Sequence, residues 1–427
     1  MASDDAYSVE ITKSDTPPAE PPVDKMSLVY LGMIALGAGV LFPYNTVMAG
    51  SDYYDITWPD RNLKFYAPMA ISIASPFMQL VMVHLQQWFS YSSRINVSFF
   101  VYSILIVVFP ISVILLSNDA AFYVALIIFL AIGTVNAVLQ STLFAFGAMF
   151  PAVYTQALMA GNGWSGVTVS IARCITKYAF PANEEGYRNG TIVFFSLSAV
   201  ITILCMVIYV FMRRSEFTSF YFTENVKSDS SSDATQALLS EAASATSLNT
   251  DPLPSPVEDA PVVDKTAVLH KVKFMGIHVM AVFIMTFLVF PGILFSIEPS
   301  IDLKDGWFGT LLVLEFNVFD MIGRSLPNVG LLFNASNVYI GVYARFLLYP
   351  FFLLFAHSSI FHSSWWVVIF NAIFAASSGY MSSLVMMYAP SIVDDHEKPT
   401  AGAYMSMFLV TGILLGSCGA LLVEQFF

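Results

Sequence analysis

The sequence predicts an all-α integral membrane protein of eleven transmembrane helices, and three observations predict it. Of its 427 residues, 57% are hydrophobic and only 11% are charged, with a mean hydropathy of +0.70. Soluble domains carry about 25% charged residues, and a soluble chain of this length could not hide so much apolar surface. Apolar runs that reach the ~20 residues a bilayer requires then recur along the chain, roughly at 26–48, 65–89, 96–117, 120–150, 155–180, 189–213, 271–296, 305–330, 336–357, 363–391 and 399–425. Finally, Phe (38) and Tyr (20) are abundant, as expected of lipid-facing and interfacial aromatics. A polar segment splits the runs six and five. The expected organisation is a tail over 1–25, a six-helix bundle over 26–213, a loop over 214–270 and a five-helix bundle over 271–427.

The tail, "MASDDAYSVEITKSDTPPAEPPVDK", is polar and proline-rich and lacks the basic start of a signal peptide, which predicts a disordered cytosolic segment. The first span contains "GAGVLFPYNTVMAGSDYY". Pro43 removes a backbone donor and predicts a kink, placing Tyr44 and Asn45 where a solute can meet freed polar groups. The bland alternative is a plain kink with Tyr44 as an interfacial anchor. Tyr53, Tyr54 and Trp58 read as interfacial aromatics. The fourth and fifth spans are separated only by "FPAVYT". They place the polar Gln140, Ser141 and Asn162 within apolar runs, and Gly161, Gly163 and Gly166 read as sites of close helix packing. The central segment, "SDSSSDATQALLSEAASATSLNTDPLPSPVEDAP", has no periodic apolar face and reads as a disordered loop.

The eighth span carries "EFNVFDMIGRSLP", which sets Glu315, Asp320 and Arg324 in an apolar run. A charge near the bilayer centre costs at least ~2.5 kcal/mol and commonly marks a pathway or a site. Asp320 and Arg324 are four apart and share a helix face, and Asn317 joins them three residues earlier. Two readings stand. The pair neutralises itself and locks two helices, or the three residues form a polar strip facing a water-filled cavity, suited to a neutral polar solute. Glu315 lies about 140° round the helix from Asp320, near the outer end. The last spans, with "FAASSGYMSSLVMMYAP" and "AGAYMSMFLVTGILLGSCGA", repeat Gly402, Gly412, Gly416 and Gly419 at near-helical spacing, again for packing.

Ten Lys and Arg fall on the side of the tail and central loop and five on the other, which predicts a cytosolic N-terminus and a C-terminus outside. Of three glycosylation sequons, Asn189 then falls outside, and Asn96 and Asn334 fall inside. The sequence contains no H-E-x-x-H, no G-x-S-x-G and no His pair at metal spacing, so enzyme chemistry, a metal and a cofactor are not expected. The net charge of −12 argues against a nucleic-acid partner. Cys174, Cys205 and Cys418 sit in apolar runs and read as inert.

These segments resemble the equilibrative nucleoside transporter family from about residue 26 to the C-terminus. The resemblance is carried by "LFPYN", "LQSTLF…FPAVYTQALMAGNG", "FNVFDMIGRS", "SSGY…AP" and "AGAYMSMFLVTGILLGS". It implies eleven helices, a cytosolic N-terminus and a fold like that of the major facilitator superfamily less one helix. It also implies that Asp320 and Arg324 bind ribose and base and that Gln140 contacts the base. Tyr44 stands where nucleoside carriers commonly have Trp. Both it and "SIARCITK" look like the plasma-membrane monoamine branch, but that branch carries Glu where this chain has Asn162. The expected function is therefore facilitated transport of nucleosides or nucleobases in the plasma membrane by a monomer, with the small solute and the lipid bilayer as partners. Organic-cation transport is the alternative within the family. A non-transporting receptor or scaffold is the alternative outside it.

Overall fold

The computed structural model describes residues 22–61, 63–85, 88–181, 183–229, 263–290, 307–357 and 363–424, together with Leu294, Ile297 and Leu303. Every regular element among them is helical. In chain order these are α1 (Leu28–Ala49), α2 (Ser51–Thr57), α3 (Leu63–Leu85), α4 (Tyr91–Leu115), α5 (Asn118–Ala148), α6 (Ala152–Ala179), α7 (Glu184–Arg213) and α8 (Glu216–Asp229). They continue as α9 (Lys265–Leu288), α10 (Trp307–Ser325), α11 (Val338–Ala344), α12 (Tyr349–His357), α13 (Ser364–Tyr388) and α14 (Lys398–Glu424). A short 3₁₀ turn at Arg345–Leu348 joins α11 to α12, so that Val338–Phe355 acts as one span.

Nine of the described helical stretches are long and apolar enough to cross a membrane. The expected fifth and eighth spans fall on α6 and α10, which lie outside that set. The reason is local. α10 carries Glu315, Asp320 and Arg324 within 19 residues, and α6 distributes Thr155, Gln156, Asn162, Ser165 and Ser170 along its length. These two polar helices pack against each other.

Element ends follow ordinary capping. Pro151 precedes α6, where its missing N–H costs no helical bond. The Asp264 carboxylate accepts from the amides of Thr266 (2.9 Å) and Ala267 (3.2 Å), so α9 begins at Lys265, ahead of the expected 271. Asp24 likewise accepts from the amides of Val29 and Tyr30 at 3.1 Å, tying the end of the N-terminal tail to α1.

Two expectations are corrected. The segment over 214–270 is not irregular throughout, because α8 occupies its beginning. Phe217 and Tyr221, one turn apart, pack on Phe150 at ring-centroid distances of 5.9 and 5.5 Å, and this aromatic contact was masked by the polar composition that follows. Residues 230–262 lie outside the described residues, as do 1–21 of the tail. Tyr53, Tyr54 and Trp58 are not interfacial but buried. Tyr54 stands edge-on to Phe109 at 6.0 Å, and the Trp58 indole N–H donates to the Asn118 carbonyl at 3.0 Å. α1 is helical on both sides of Pro43.

α1 packs on α6 and α7, α3 on α5, and α4 on α5 and α7. Later in the chain α9 packs on α14 and α13, and α10 on α13. Contacts between the early and late helices run through α10 and α13 against α6, and α14 against α3 and α5. The polar residues singled out in the sequence lie along these contacts.

Candidate solute site

The position of Asp320 and Arg324 is fixed by glycines on both sides of α10. A Cβ on Gly379 of α13 would overlap the Asp320 carbonyl, and one on Gly323 would overlap the Ala376 carbonyl. On the other flank a Cβ on Gly163 of α6 would stand 2.8 Å from the Met321 Cα. Close approach of this kind requires residues without side chains. It holds α10 between α6 and α13, and both charged residues are only 6% exposed.

Within that cleft Arg324 Nε donates to Asp320 Oδ2 at 2.6 Å. The guanidinium Nη1 also points at the Met159 sulfur, 3.8 Å away, and the Asn162 amide approaches the same sulfur at 4.0 Å. Asn162 and Arg324 thus converge on one atom from opposite helices. Asn317 lies on the same flank and donates to Ser170 Oγ of α6 at 2.8 Å and to the Val313 carbonyl at 3.0 Å. Asp320 and Arg324 are buried and Asn317 is part-buried. Glu315 is half-buried and turned away towards α13, where it accepts from the Asn371 amide at 3.0 Å.

The first helix supplies Asn45, whose amide donates to Ser165 Oγ of α6 at 3.0 Å, and Tyr44, which hydrogen-bonds Ser72 of α3. These contacts spread the expected site residues over several helices. Gln140 and Ser141 of α5 are buried at 1% and 3% exposure, and neither amide atom of Gln140 makes a hydrogen bond.

Two features escaped the sequence reading. Arg345, 3% exposed, is held by neutral groups: Ser377 Oγ (3.0 Å), Thr286 Oγ1 (3.1 Å) and the Val282 carbonyl (3.2 Å), with the Phe374 ring 4.9 Å below it. Asp320 lies within its electrostatic reach. A lone Arg in the apolar run "VYARFLLYPFF" was the available signal. The second feature is a chain of bonds at the end where α1 starts. Asn328 donates to the Tyr30 hydroxyl at 2.6 Å, that hydroxyl donates to Gln156 Oε1 at 3.2 Å, and Gln156 Nε2 donates to the Arg324 carbonyl at 2.8 Å. It ties α1 and α6 to the end of α10. At α10's other end Lys177 donates to Thr310 Oγ1 at 3.2 Å beside a small recess of about 40 Å³ lined by Arg173, Tyr187 and Trp307.

The architecture and these residues have relatives. The nucleoside transporter family model matches residues 124–425. Among individual proteins, the chain is 27% identical over 403 residues to equilibrative nucleotide transporter 1 of Arabidopsis thaliana, covering 93% of this chain and 86% of that one. It is 26% identical over 448 residues to human equilibrative nucleoside transporter 1, covering 93% and 96%. Among solved structures, a proton:xylose symporter of the major facilitator superfamily superposes with a TM-score of 0.60 at 12% identity, covering 95% and 96% of the two chains. A bacterial homologue of the iron transporter ferroportin, in an outward-facing state, gives 0.58 at 11% identity over 94% and 93%. The likeness to the solved structures concerns the fold, which is that of major facilitator transporters. The family match spans well over half of the sequence, and the chain belongs to the nucleoside transporter family, a membrane transporter of equilibrative type.

Proposed function

We propose that this transporter carries nucleosides, and nucleobases with them, down their gradients by alternating access. The observation that carries the reading is the Asp320–Arg324 pair, buried between α10 and α6 with Asn162 alongside. A lone helix lock needs only mutual neutralisation. This pair sits instead among uncharged donors and acceptors on facing helices, the set a neutral polyhydroxylated solute needs to replace its water. The names of the relatives, nucleoside and nucleotide transporters, agree with it. An organic cation is disfavoured, because Asp320 is already paired and Asn162 offers no charge.

Eleven spans belong to this proposal, with α6 and α10 crossing the bilayer alongside the nine apolar ones. So do a division into helices up to α7 and from α9 onward, a cytosolic N-terminus, an external C-terminus, monomeric action and residence in the plasma membrane. Helices that line a solute path tolerate polar residues that lipid-facing ones do not. The test is uptake of radiolabelled adenosine by proteoliposomes holding the purified chain. The expected result is saturable uptake that unlabelled nucleosides compete away and that Asp320→Ala abolishes. Uptake no greater than in empty liposomes would support a receptor or scaffold instead.

A further inference from the structure

Arg94, in the first turn of α4, is buried as deeply as Arg324 (7% and 6% exposed). It has neither the carboxylate of Arg324 nor the full set of neutral acceptors around Arg345. Its Nη1 donates to Thr142 Oγ1 of α5 at 3.5 Å, a long bond, and Tyr91 offers its hydroxyl and a ring face 4.4 Å away. Arg94 Nε is buried and has no acceptor. A guanidinium carries five N–H donors, and a buried one left partly unmet calls for a reason.

A second cation stands beside it. Arg213, half-buried at the end of α7, stacks on Phe222 of α8 at 3.8 Å, and its buried Nε also lacks an acceptor. Tyr91 stands edge-on to Phe222 at 5.9 Å, so the ring under Arg94 meets the ring under Arg213. The Tyr209 hydroxyl, one turn before Arg213, shares a hydrogen bond with Ser92 Oγ at 3.1 Å and lies within electrostatic reach of both guanidinia. Among the described residues no carboxylate bonds either arginine. Glu216, the acid nearest to Arg213 in the chain, is exposed and pairs with Lys25 at 3.6 Å. Two like charges at close quarters repel, and aromatic faces offset that only in part.

We propose that Arg94 and Arg213, with Tyr209 and Ser92 between them, form a binding site for a phosphate monoester at the end of the bundle where α1 starts. The stacked rings fix the planes of the guanidinia and leave their N–H edges for an oxyanion. A tetrahedral dianion accepts from several N–H and O–H donors at once and balances both cations, whereas a single carboxylate balances one. The site lies on α4, α7 and α8, away from Asp320 and Arg324, and does not rest on the carrier reading. Its place in the first turn of α4 and the last of α7 is the depth of lipid headgroups, where basic pockets between membrane helices take phosphorylated lipids. A free phosphate presents the same group.

The test is the melting temperature of the purified full chain in detergent at fixed ionic strength. Three probes are titrated: inorganic phosphate, a short-chain phosphatidylinositol monophosphate, and phosphatidylinositol of the same chain length, whose only phosphate is a diester. A ligand of the folded state raises that temperature. The monophosphate lipid is expected to raise it saturably, and phosphatidylinositol is not. Arg94→Gln and Arg213→Gln are each expected to raise the half-saturating concentration by about tenfold or more, through loss of a charge-assisted bond. The exposed neighbour Arg214→Gln is expected to raise it by less than about threefold. Saturation by inorganic phosphate at a similar concentration supports the site and identifies a soluble ligand. Saturation by the monophosphate lipid alone supports it and identifies a headgroup. Arg213→Gln, at the half-buried position, decides the matter if Arg94→Gln does not fold. Absence of a saturable shift with any probe in wild type overturns the proposal. So does an equal loss in Arg214→Gln, which would mean diffuse surface charge, or an equal response to phosphatidylinositol, which would mean that the acyl chains bind.

Discussion

At the residue scale, the interior separates two kinds of buried cation. Arg324 has a carboxylate partner at 2.6 Å, whereas Arg345 relies on hydroxyls and carbonyls together with the field of Asp320. The planar five-donor fork of Arg345 matches those scattered acceptors, and a lysine ammonium cannot reach them all. Arg345→Lys is therefore expected to destabilise the protein by about 1.5–3 kcal/mol, the worth of a hydrogen bond to a charged group, read as a lower unfolding midpoint in detergent. An unchanged midpoint would mean that the fork does not anchor the α11–α12 span. Asp320, Arg324 and Asn317 were legible in the sequence because charges and amides stand out in an apolar run, and four-residue spacing fixes their common face. Their partners were not. Met159, Ser165, Ser170 and Gln156 look unremarkable until α6 is laid against its neighbours, and no single-helix pattern contains that information.

At the element scale, α6 and α10 are joined along their lengths. Gln156 meets the Arg324 carbonyl near one end, Asn317 meets Ser170 in the middle, and Lys177 meets Thr310 near the other. The glycines of α6 and α13 were readable as packing sites, and they serve as such here. Gln156, Ser170 and Asn317, among the polar residues that set these two helices apart by composition, join them, whereas Glu315 bonds α13 and Ser165 bonds α1. Alternating access requires one end of this seam to open while the other closes. The Asn328–Tyr30–Gln156 chain bridges the seam at the end where α1 starts, and in the proposed cycle it would hold that end shut. Tyr30→Phe removes the hydroxyl shared by both bonds, each worth about 1 kcal/mol. It should raise the rate at which a cysteine introduced at Ser325 reacts with a membrane-impermeant thiol reagent added on that side, by roughly five- to thirtyfold if about 1–2 kcal/mol favours the closed state. A rate equal to that of the parent Ser325→Cys would remove the latch from the account.

At the scale of the whole molecule, the fold class was readable from composition and run length, since no soluble packing accommodates a chain this apolar. Capping and short aromatic contacts decided what composition could not: α8 against the junction of α5 and α6, and α9 starting at Lys265. The shape resembles that of major facilitator transporters. In the account proposed here, Asp320 and Arg324 neutralise one another when empty and share their hydrogen-bonding capacity with the sugar when a nucleoside is bound. The measurement that tests this most directly is the uptake efficiency of Asp320→Asn for adenosine and for adenine in the same proteoliposomes. Loss of a charge-assisted contact of about 1.5–3 kcal/mol predicts a fall of roughly ten- to 150-fold for adenosine and a much smaller one for adenine, which has no sugar to lose. Equal losses for the two solutes would contradict the account and return the pair to a purely structural role between α6 and α13.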